Sequence, residues 1–267
     1  MLPTSPIAAS LHGDGAPLLL VHGDFNTGAQ AWRRQIADPA SRLLLVIDRR
    51  GYGSSLPADP PFTFTTDAAA ALAAADAAGW DRFDLAGHSY GGLVAIETVL
   101  RAPDRIRSLM LIEPPYMALL PDDPGVARMR DGVAAIWRNA AALSDEEIAT
   151  GFFGIIAGPE ETARMQGGRA WPALVSQARR AVLAESPADY PPEALLRLPA
   201  RLPVAVLTGG RSNSGLQAIA RELHCRIPGA TLHISPEAGH AVQFDRLVFD
   251  EALASLSMRA DELGEWE

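Results

Sequence analysis

A hydroxyl becomes a nucleophile near neutral pH only when a base takes its proton, and this chain carries the residue types for that chemistry at three well-separated places. The clearest is Phe83-Asp-Leu-Ala-Gly87-His88-Ser89-Tyr90-Gly91-Gly92. Gly87-x-Ser89-x-Gly91 follows an apolar run that reads as a strand and precedes sequence that reads as a helix. A serine there must occupy a sharp, strained turn, and the flanking glycines leave room for neighbouring backbone. The turn lifts Ser89 Oγ above the sheet edge and aims the first helical amides at developing negative charge. Of the six histidines, His240 in Glu237-Ala-Gly239-His240 lies just after the last expected strand, in a loop that can reach Ser89. His22 and His88 sit in glycine-flanked turns and read as backbone braces. His12, His224 and His233 fall in a terminal loop, a helix and a strand.

The base needs a carboxylate to orient it. The usual place, the loop after Val204–Thr208, reads Thr208-Gly-Gly-Arg-Ser212-Asn213-Ser214-Gly215 and holds no acid. The other sheet-edge position is the end of Ile106–Ile112, where Glu113 stands before Pro114-Pro115. An unpaired carboxylate at the end of a buried apolar strand is costly, so a partner is expected. The His240 imidazole is the natural one; loop amides or an arginine such as Arg49 are the alternative. For the oxyanion, the loop Val21-His22-Gly23-Asp24-Phe25 offers the Asp24 backbone N–H, with Phe25 as substitute, to act together with the Tyr90 N–H. The Asp24 side chain would oppose a nearby oxyanion, so it is expected to point away or pair with an arginine.

The elements that must position these groups are legible as short apolar runs without period-two alternation. They are Pro17–Val21, Leu43–Ile47, Phe83–Ala86, Ile106–Ile112, Val204–Thr208 and Thr231–Ser235. Helical sequence alternates with them at Thr66–Ala78, Gly91–Arg101 and Ala241–Ser257. Strand, helix and strand in alternation give a mostly parallel α/β sheet with helices on both faces. Between Pro114 and Pro203 the rhythm changes to helical patterning alone: Val126–Leu143, Glu146–Phe153, Glu160–Met165 and Leu174–Leu183. The expected organisation is a core of residues 1–113 and 204–267 with a helical cap inserted at 114–203, over the carboxyl edge where open sheets bind ligands.

Composition excludes several classes. The chain has 267 residues, 48% hydrophobic and 21% charged, ordinary for a globular protein. Its net charge is −9, and no basic block is longer than an Arg-Arg pair, which argues against nucleic-acid partners and anionic membrane surfaces. Cys225 is the only cysteine, so no intramolecular disulfide can form. Residues 1–15 lack a basic stretch followed by an apolar run, and no apolar run is long enough to cross a bilayer. The expected location is cytoplasmic. There is no metal-ligand spacing, and the Gly-rich Asp48–Ser55 loop is not a dinucleotide fingerprint, so neither metal nor cofactor is implied.

Val21-His22-Gly23, Asp48-Arg-Arg-Gly51-Tyr52-Gly53-Ser54-Ser55, Gly87-His88-Ser89-Tyr90-Gly91-Gly92, Pro103-Asp104-Arg105-Ile106 and Ala238-Gly239-His240 together resemble the α/β-hydrolase superfamily over nearly the whole chain. The resemblance implies an eight-stranded sheet or a trimmed version, and adjacent strands for Ser89 and Glu113. The order Ser89, Glu113, His240 and the 24-residue gap from serine to acid look like the branches in which the acid follows the next strand, such as haloalkane dehalogenases and certain fungal lactone hydrolases. A serine at the elbow argues against dehalogenase or epoxide hydrolase chemistry, which uses Asp there. The expected reaction is acyl transfer to water from a small-to-medium apolar ester or lactone, with Ser89, His240 and Glu113 catalytic. The candidate walls of the substrate pocket are Phe25, Tyr116, Met117, Trp137, Phe152, Phe153, Trp171 and Val242, with Tyr190 a further aromatic of the cap. A homodimer is compatible with the sequence. The rival readings are a C–C hydrolase, a hydroxynitrile lyase or a cofactor-free oxygenase on the same residues, and a ligand receptor without turnover.

Overall fold

The computed structural model describes residues 7–55 and 59–264. Residues 1–6, where the stretch read for a leader begins, and the last three residues of the expected core lie outside the described residues.

Six apolar runs form the strands their composition dictates, and a seventh precedes them. The strands are β1 (Ala9–His12), β2 (Ala16–Val21), β3 (Arg42–Ile47), β4 (Phe83–His88), β5 (Ile106–Ile112), β6 (Val204–Gly209) and β7 (Thr231–Ser235). Their order in the sheet is β1-β3-β2-β4-β5-β6-β7, with β1 antiparallel to β3 and every other pairing parallel. The central strands β4, β5 and β6 are buried at almost every residue, which is why they show continuous rather than alternating hydrophobicity. The seven-stranded sheet is the trimmed version of the expected one. His12 ends β1 rather than lying in a loop.

Helices α1 (Gly28–Ala31), α2 (Arg33–Ala37), α3 (Phe64–Ala77) and α4 (Tyr90–Arg101) precede β5. Helices α5 (Pro124–Asn139), α6 (Asp145–Ile156), α7 (Pro159–Gln166), α8 (Trp171–Val175) and α9 (Ala178–Val182) lie between β5 and β6. Helices α10 (Ser214–Arg226) and α11 (Arg246–Gly264) complete the order. The expected helix over 174–183 divides into α8 and α9. The last helix begins five residues later than its hydrophobic pattern indicated. Ala241 and the short 3-10 turn Val242–Phe244 come first. Asp245 then accepts the Val248 N–H through Oδ1 and the Ser235 hydroxyl through Oδ2, and so fixes where the helix starts.

Two apolar clusters cover the sheet faces. One joins Leu19, Leu85, Leu109, Leu111 and Val206 to Leu93 and Val94 of α4, the Ala-rich face of α3 and Leu216 and Ile219 of α10. The other packs Leu18, Leu44, Met110 and Leu207 against Trp32 and against Phe249, Leu253 and Leu256 of α11. A third cluster, of Phe25 with Ala140, Ile148, Phe153, Trp171, Leu174 and Ala178, is the interior of the helical segment over the sheet's carboxyl edge.

Leu111 is fully buried two residues before Glu113. Leu111→Ala should lower unfolding free energy by about 3 kcal/mol, within the 2–5 range for a buried Leu. Urea titration should show a lower midpoint with an unchanged m-value.

Candidate active site

Register in the parallel sheet brings the candidate residues together. His88 of β4 is level with Ile112 of β5, and Ile112 is level with Leu207 of β6. One residue further on, Ser89, Glu113 and Thr208 therefore emerge side by side at the carboxyl edge. The Ser89 N–H donates to Ile112 O at 2.8 Å and the Glu113 N–H donates to Leu207 O at 3.1 Å. The strands that carry Ser89 and Glu113 are neighbours, as the resemblance implied.

Ser89 has φ +54° and ψ −127°, the strained elbow read from its glycines. It occupies the N-cap position of α4, where a serine hydroxyl normally accepts a helix amide, yet it makes no such bond. A Cβ on Gly91 would collide with the carbonyls of Val21 and His22, and one on Gly87 would collide with the Gly91 carbonyl. The packing of the end of β2 against the elbow thus requires Gly91, and the tight turn of the elbow on itself requires Gly87. Gly23 is pressed as closely: a Cβ there would sit 2.8 Å from Ser89 Cβ.

Glu113, at φ +45°, is completely buried. Its Oε1 accepts the Thr208 hydroxyl at 2.7 Å and the Gly209 N–H at 2.8 Å. Its Oε2 accepts the Ser212 hydroxyl at 2.6 Å and lies 2.7 Å from His240 Nδ1. A carboxylate with four donors is satisfied as an ion, so Nδ1 carries the proton and Nε2 of the neutral ring holds the lone pair. Both alternatives weighed for Glu113 are realised in part: it takes a loop amide and the imidazole. Arg49 goes elsewhere. The acid-free loop after β6 gave no reason to expect Thr208 and Ser212 near the site. Hydroxyl donors carry no motif, and only the β5–β6 register could have indicated them.

Ser89 and His240 line one cavity, together with Asp24, Tyr90, Pro115, Met117, Val133, Trp137, Phe152, Ile156, Ala181, Ala184, Glu185, Pro187 and Leu216. Its empty space is about 490 Å³, partly open to solvent. Of the eight expected wall residues, Met117, Trp137 and Phe152 are in the lining. The other five are not. Phe25 stacks on Phe152 with ring centroids 4.6 Å apart and is buried behind it. Phe153 and Trp171 pack on each other within the helical segment, with Trp171 Nε1 donating to Glu146. Tyr116 turns its hydroxyl to Pro191 O. Val242 belongs to the cluster on the opposite sheet face. Tyr190 likewise packs edge-on against Tyr116 and Phe64 rather than lining the cavity.

In the loop after β2, the Gly23 carbonyl accepts from His22 Nδ1 at 2.6 Å. In a trans peptide the following N–H points the opposite way, so this bond turns the Asp24 N–H away from His22. Among the described residues no acceptor takes the Asp24 or the Tyr90 N–H. The Asp24 carboxylate pairs with an arginine: Oδ1 accepts Arg49 Nη2 at 2.8 Å and the Tyr52 hydroxyl at 2.7 Å. Arg49 also meets Asp67 at 3.1 Å and lies 4.1 Å from the Tyr90 ring centroid. Burial alone would lower the pKa of Arg49, but Asp24 and Asp67 outweigh it and raise that pKa above its ordinary value.

His22 and His88 brace the backbone. His22 Nε2 accepts the Arg49 N–H at 2.9 Å, and His88 Nε2 lies 3.1 Å from His240 O. Burial, aided by the Arg49 charge, pushes the His22 pKa well below its ordinary value. Burial, aided by His240, pushes that of His88 down to about 3.

The model of the alpha/beta hydrolase family matches residues 18–252, and the chain belongs to that family. A candidate carbamate hydrolase, RutD of Azorhizobium caulinodans, is 38% identical over 103 residues, 38% of each chain. The 2-hydroxymuconate semialdehyde hydrolase of Pseudomonas sp. strain CF600 is 34% identical over 113 residues, 40% of each. The 2-hydroxy-6-oxo-2,4-heptadienoate hydrolase of Pseudomonas putida is 31% identical over 144 residues, 51% of this chain and 49% of that one. The chain thus spans about two fifths to one half of the length of these relatives. Among solved structures, an alpha/beta hydrolase from Sphaerobacter thermophilus matches 89% of this chain and 92% of its own at 27% identity and TM-score 0.69. A hydrolase from Pseudomonas aeruginosa matches 94% and 93% at 24% identity and TM-score 0.73. Among the described residues, no helix is long and apolar enough to cross a membrane.

Two histidines buried as neutral rings make stability depend on pH. Their folded pKa values are depressed, so below pH 6.5 the unfolded chain binds protons that the folded one refuses. The stabilisation present above about pH 6.5 is lost on acidification toward the folded values. Between pH 6.5 and 5 each should remove up to about 1.4 kcal/mol per pH unit. Chemical denaturation across that range should show the loss, and His88→Gln should reduce its slope.

Proposed function

We propose that the chain is a serine hydrolase of neutral, largely apolar carboxylic esters or lactones, working through Ser89, His240 and Glu113. The observation that carries this reading is the 2.7 Å bond from His240 Nδ1 to a wholly buried Glu113, on an imidazole that shares a cavity with an uncapped elbow serine.

In this mechanism His240 Nε2 takes the Ser89 proton as Oγ attacks the substrate carbonyl. The oxyanion rests on the N–H groups of Asp24 and Tyr90. Each such donor is worth about 3 kcal/mol in the transition state. The imidazolium, stabilised by Glu113, protonates the leaving alcohol. It then takes a proton from water, which attacks the acyl-enzyme and releases the acid. Glu113 holds the tautomer throughout, and the segment 114–203 acts as a cap that keeps water away from the carbonyl.

The lining supports the neutral substrate class. Among the described residues it has no lysine or arginine, and its two carboxylates are Asp24 and Glu185. A substrate anion would enter without a counter-ion. This weighs against the C–C hydrolase reading that two relatives' names suggest, since a dienoate carries a carboxylate. A carbamate ester, which carries no charge, is compatible with the same lining.

A fluorophosphonate should label Ser89 in the folded protein, and neither Ser89→Ala nor His240→Ala should be labelled at a comparable rate. Peptide mass spectrometry reads the adduct. An unlabelled Ser89 in protein that hydrolyses esters would overturn the reading.

Glu113→Gln should lower kcat by roughly 10³–10⁴, the scale set by losing the correct imidazole tautomer. Ser212→Ala removes a donor from the oxygen that His240 uses. Three donors remain, among them the imidazole, so kcat should fall far less than in Glu113→Gln, measured in the same ester assay.

A further inference from the structure

Of the two acidic side chains that line the cavity, Asp24 belongs to the loop proposed to hold the oxyanion, and it is only half used by the protein. Both of its hydrogen bonds, from Arg49 and from the Tyr52 hydroxyl, fall on Oδ1. Arg49 and Tyr52 are themselves fully buried, so that side of the carboxylate is sealed. Among the described residues no donor reaches Oδ2. Asp24 nevertheless keeps 12% of its side chain exposed, and Oδ2 is absent from the enclosed atoms that lack a partner. The unpartnered oxygen is therefore not enclosed, on a residue that lines the cavity together with Ser89 and His240. Asp24 is anchored by Arg49, whose charge is shared with Asp67, and it cannot swing away without leaving that guanidinium short of a partner.

We propose that Asp24 Oδ2 makes the site selective for esters and lactones whose acyl group carries a hydroxyl or N–H donor on the atom next to the carbonyl carbon. The inference rests on the acyl-transfer reading and narrows its substrate class. With the carbonyl oxygen on the Asp24 amide, the side chain of the same residue stands beside the carbonyl substituent. A donor there bonds to a charged acceptor that is otherwise unpaired once water is displaced. A methyl group of the same size leaves that oxygen dry and unsatisfied. Discrimination of this kind is large because the penalty falls on the wrong substrate.

The test compares benzyl 2-hydroxypropanoate, as each enantiomer, with benzyl 2-methylpropanoate, a pair differing in hydroxyl against methyl, with benzyl alcohol release as the readout. The wild-type chain should favour the better hydroxy ester by about tenfold or more in kcat/KM, the factor expected for a bond to a charged acceptor. In Asp24→Asn the amide oxygen can serve Arg49 and Tyr52 while its NH2 faces the cavity. The ratio should then fall to about one or below, whatever loss the two esters share. Asp24→Ser, which withdraws the group from the cavity, should level the ratio too and serves where Asn does not fold. A wild-type ratio near one with the methyl ester cleaved, or an unchanged ratio in both variants, overturns this inference alone. Cleavage of neither ester together with an unlabelled Ser89 overturns the acyl-transfer reading and this inference with it.

Discussion

A carboxylate that ends a buried strand has to be hydrogen-bonded on every side, and the arrangement at the sheet edge follows from meeting that demand for Glu113. Desolvating an ion costs several kcal/mol unless its lone pairs are occupied. Here the β5–β6 register places the Thr208 hydroxyl and the Gly209 amide on one oxygen, with Ser212 and His240 on the other. The imidazole is one of the four donors that satisfy the buried Glu113. Without it the carboxylate would be short of a donor, so the fold itself selects the tautomer and the ring orientation. Three non-glycine residues with positive φ lie in this neighbourhood, Phe25, Ser89 and Glu113, each costing about 1–3 kcal/mol that the surrounding packing must hold.

A second buried charge organises the other half of the site. Arg49 donates to His22 O and to Asp24, pairs with Asp67 of α3 and lies against the Tyr90 ring. One guanidinium thus touches the loop after β2, the first residue of the elbow helix and a helix on the sheet face. Arg180, from α9, reaches the same Asp67 at 3.6 Å and donates to Arg50 O at 2.6 Å. The position of the covering helices is therefore linked electrostatically to the loop that carries Asp24. Breaking one pair would strand an ion in the interior, which makes the whole network cooperative.

What could be read from the sequence tracks how local the physics is. Ser89 is marked by glycines that a tight turn requires, and His240 by its place after the last strand; both are consequences of neighbours in sequence. Glu113 was legible by elimination and by the cost of an unpaired acid at a strand end. Thr208 and Ser212 were not, because their contact with Glu113 comes from strand register, which no local pattern encodes. Strand β1 escaped notice because its residues are mostly exposed and polar-flanked, leaving no apolar run. The cavity wall was read least well. Phe25, Phe153 and Trp171 are the same kinds of side chain as Trp137 and Phe152, and only the packing of the helical segment decides which rings face the cavity and which stand behind them.

Placing the acid after β5 changes what the loop after β6 can do. That loop is released from supplying a carboxylate and instead supplies donors: Ser212 to Glu113, and Asn213 to the Ile155 carbonyl of α6 at 2.8 Å while its Oδ1 caps α10 at Gly215. Ile156, the next residue of α6, lines the cavity. Two consecutive side chains therefore join the acid's hydrogen-bond shell to the cavity wall. A shift of α6 that moved the wall would pull on Asn213, and through one peptide on the hydroxyl shared with the oxygen that His240 uses. The position of α6 at the cavity wall and the hydrogen bonding of Glu113 are in this way parts of one connected structure.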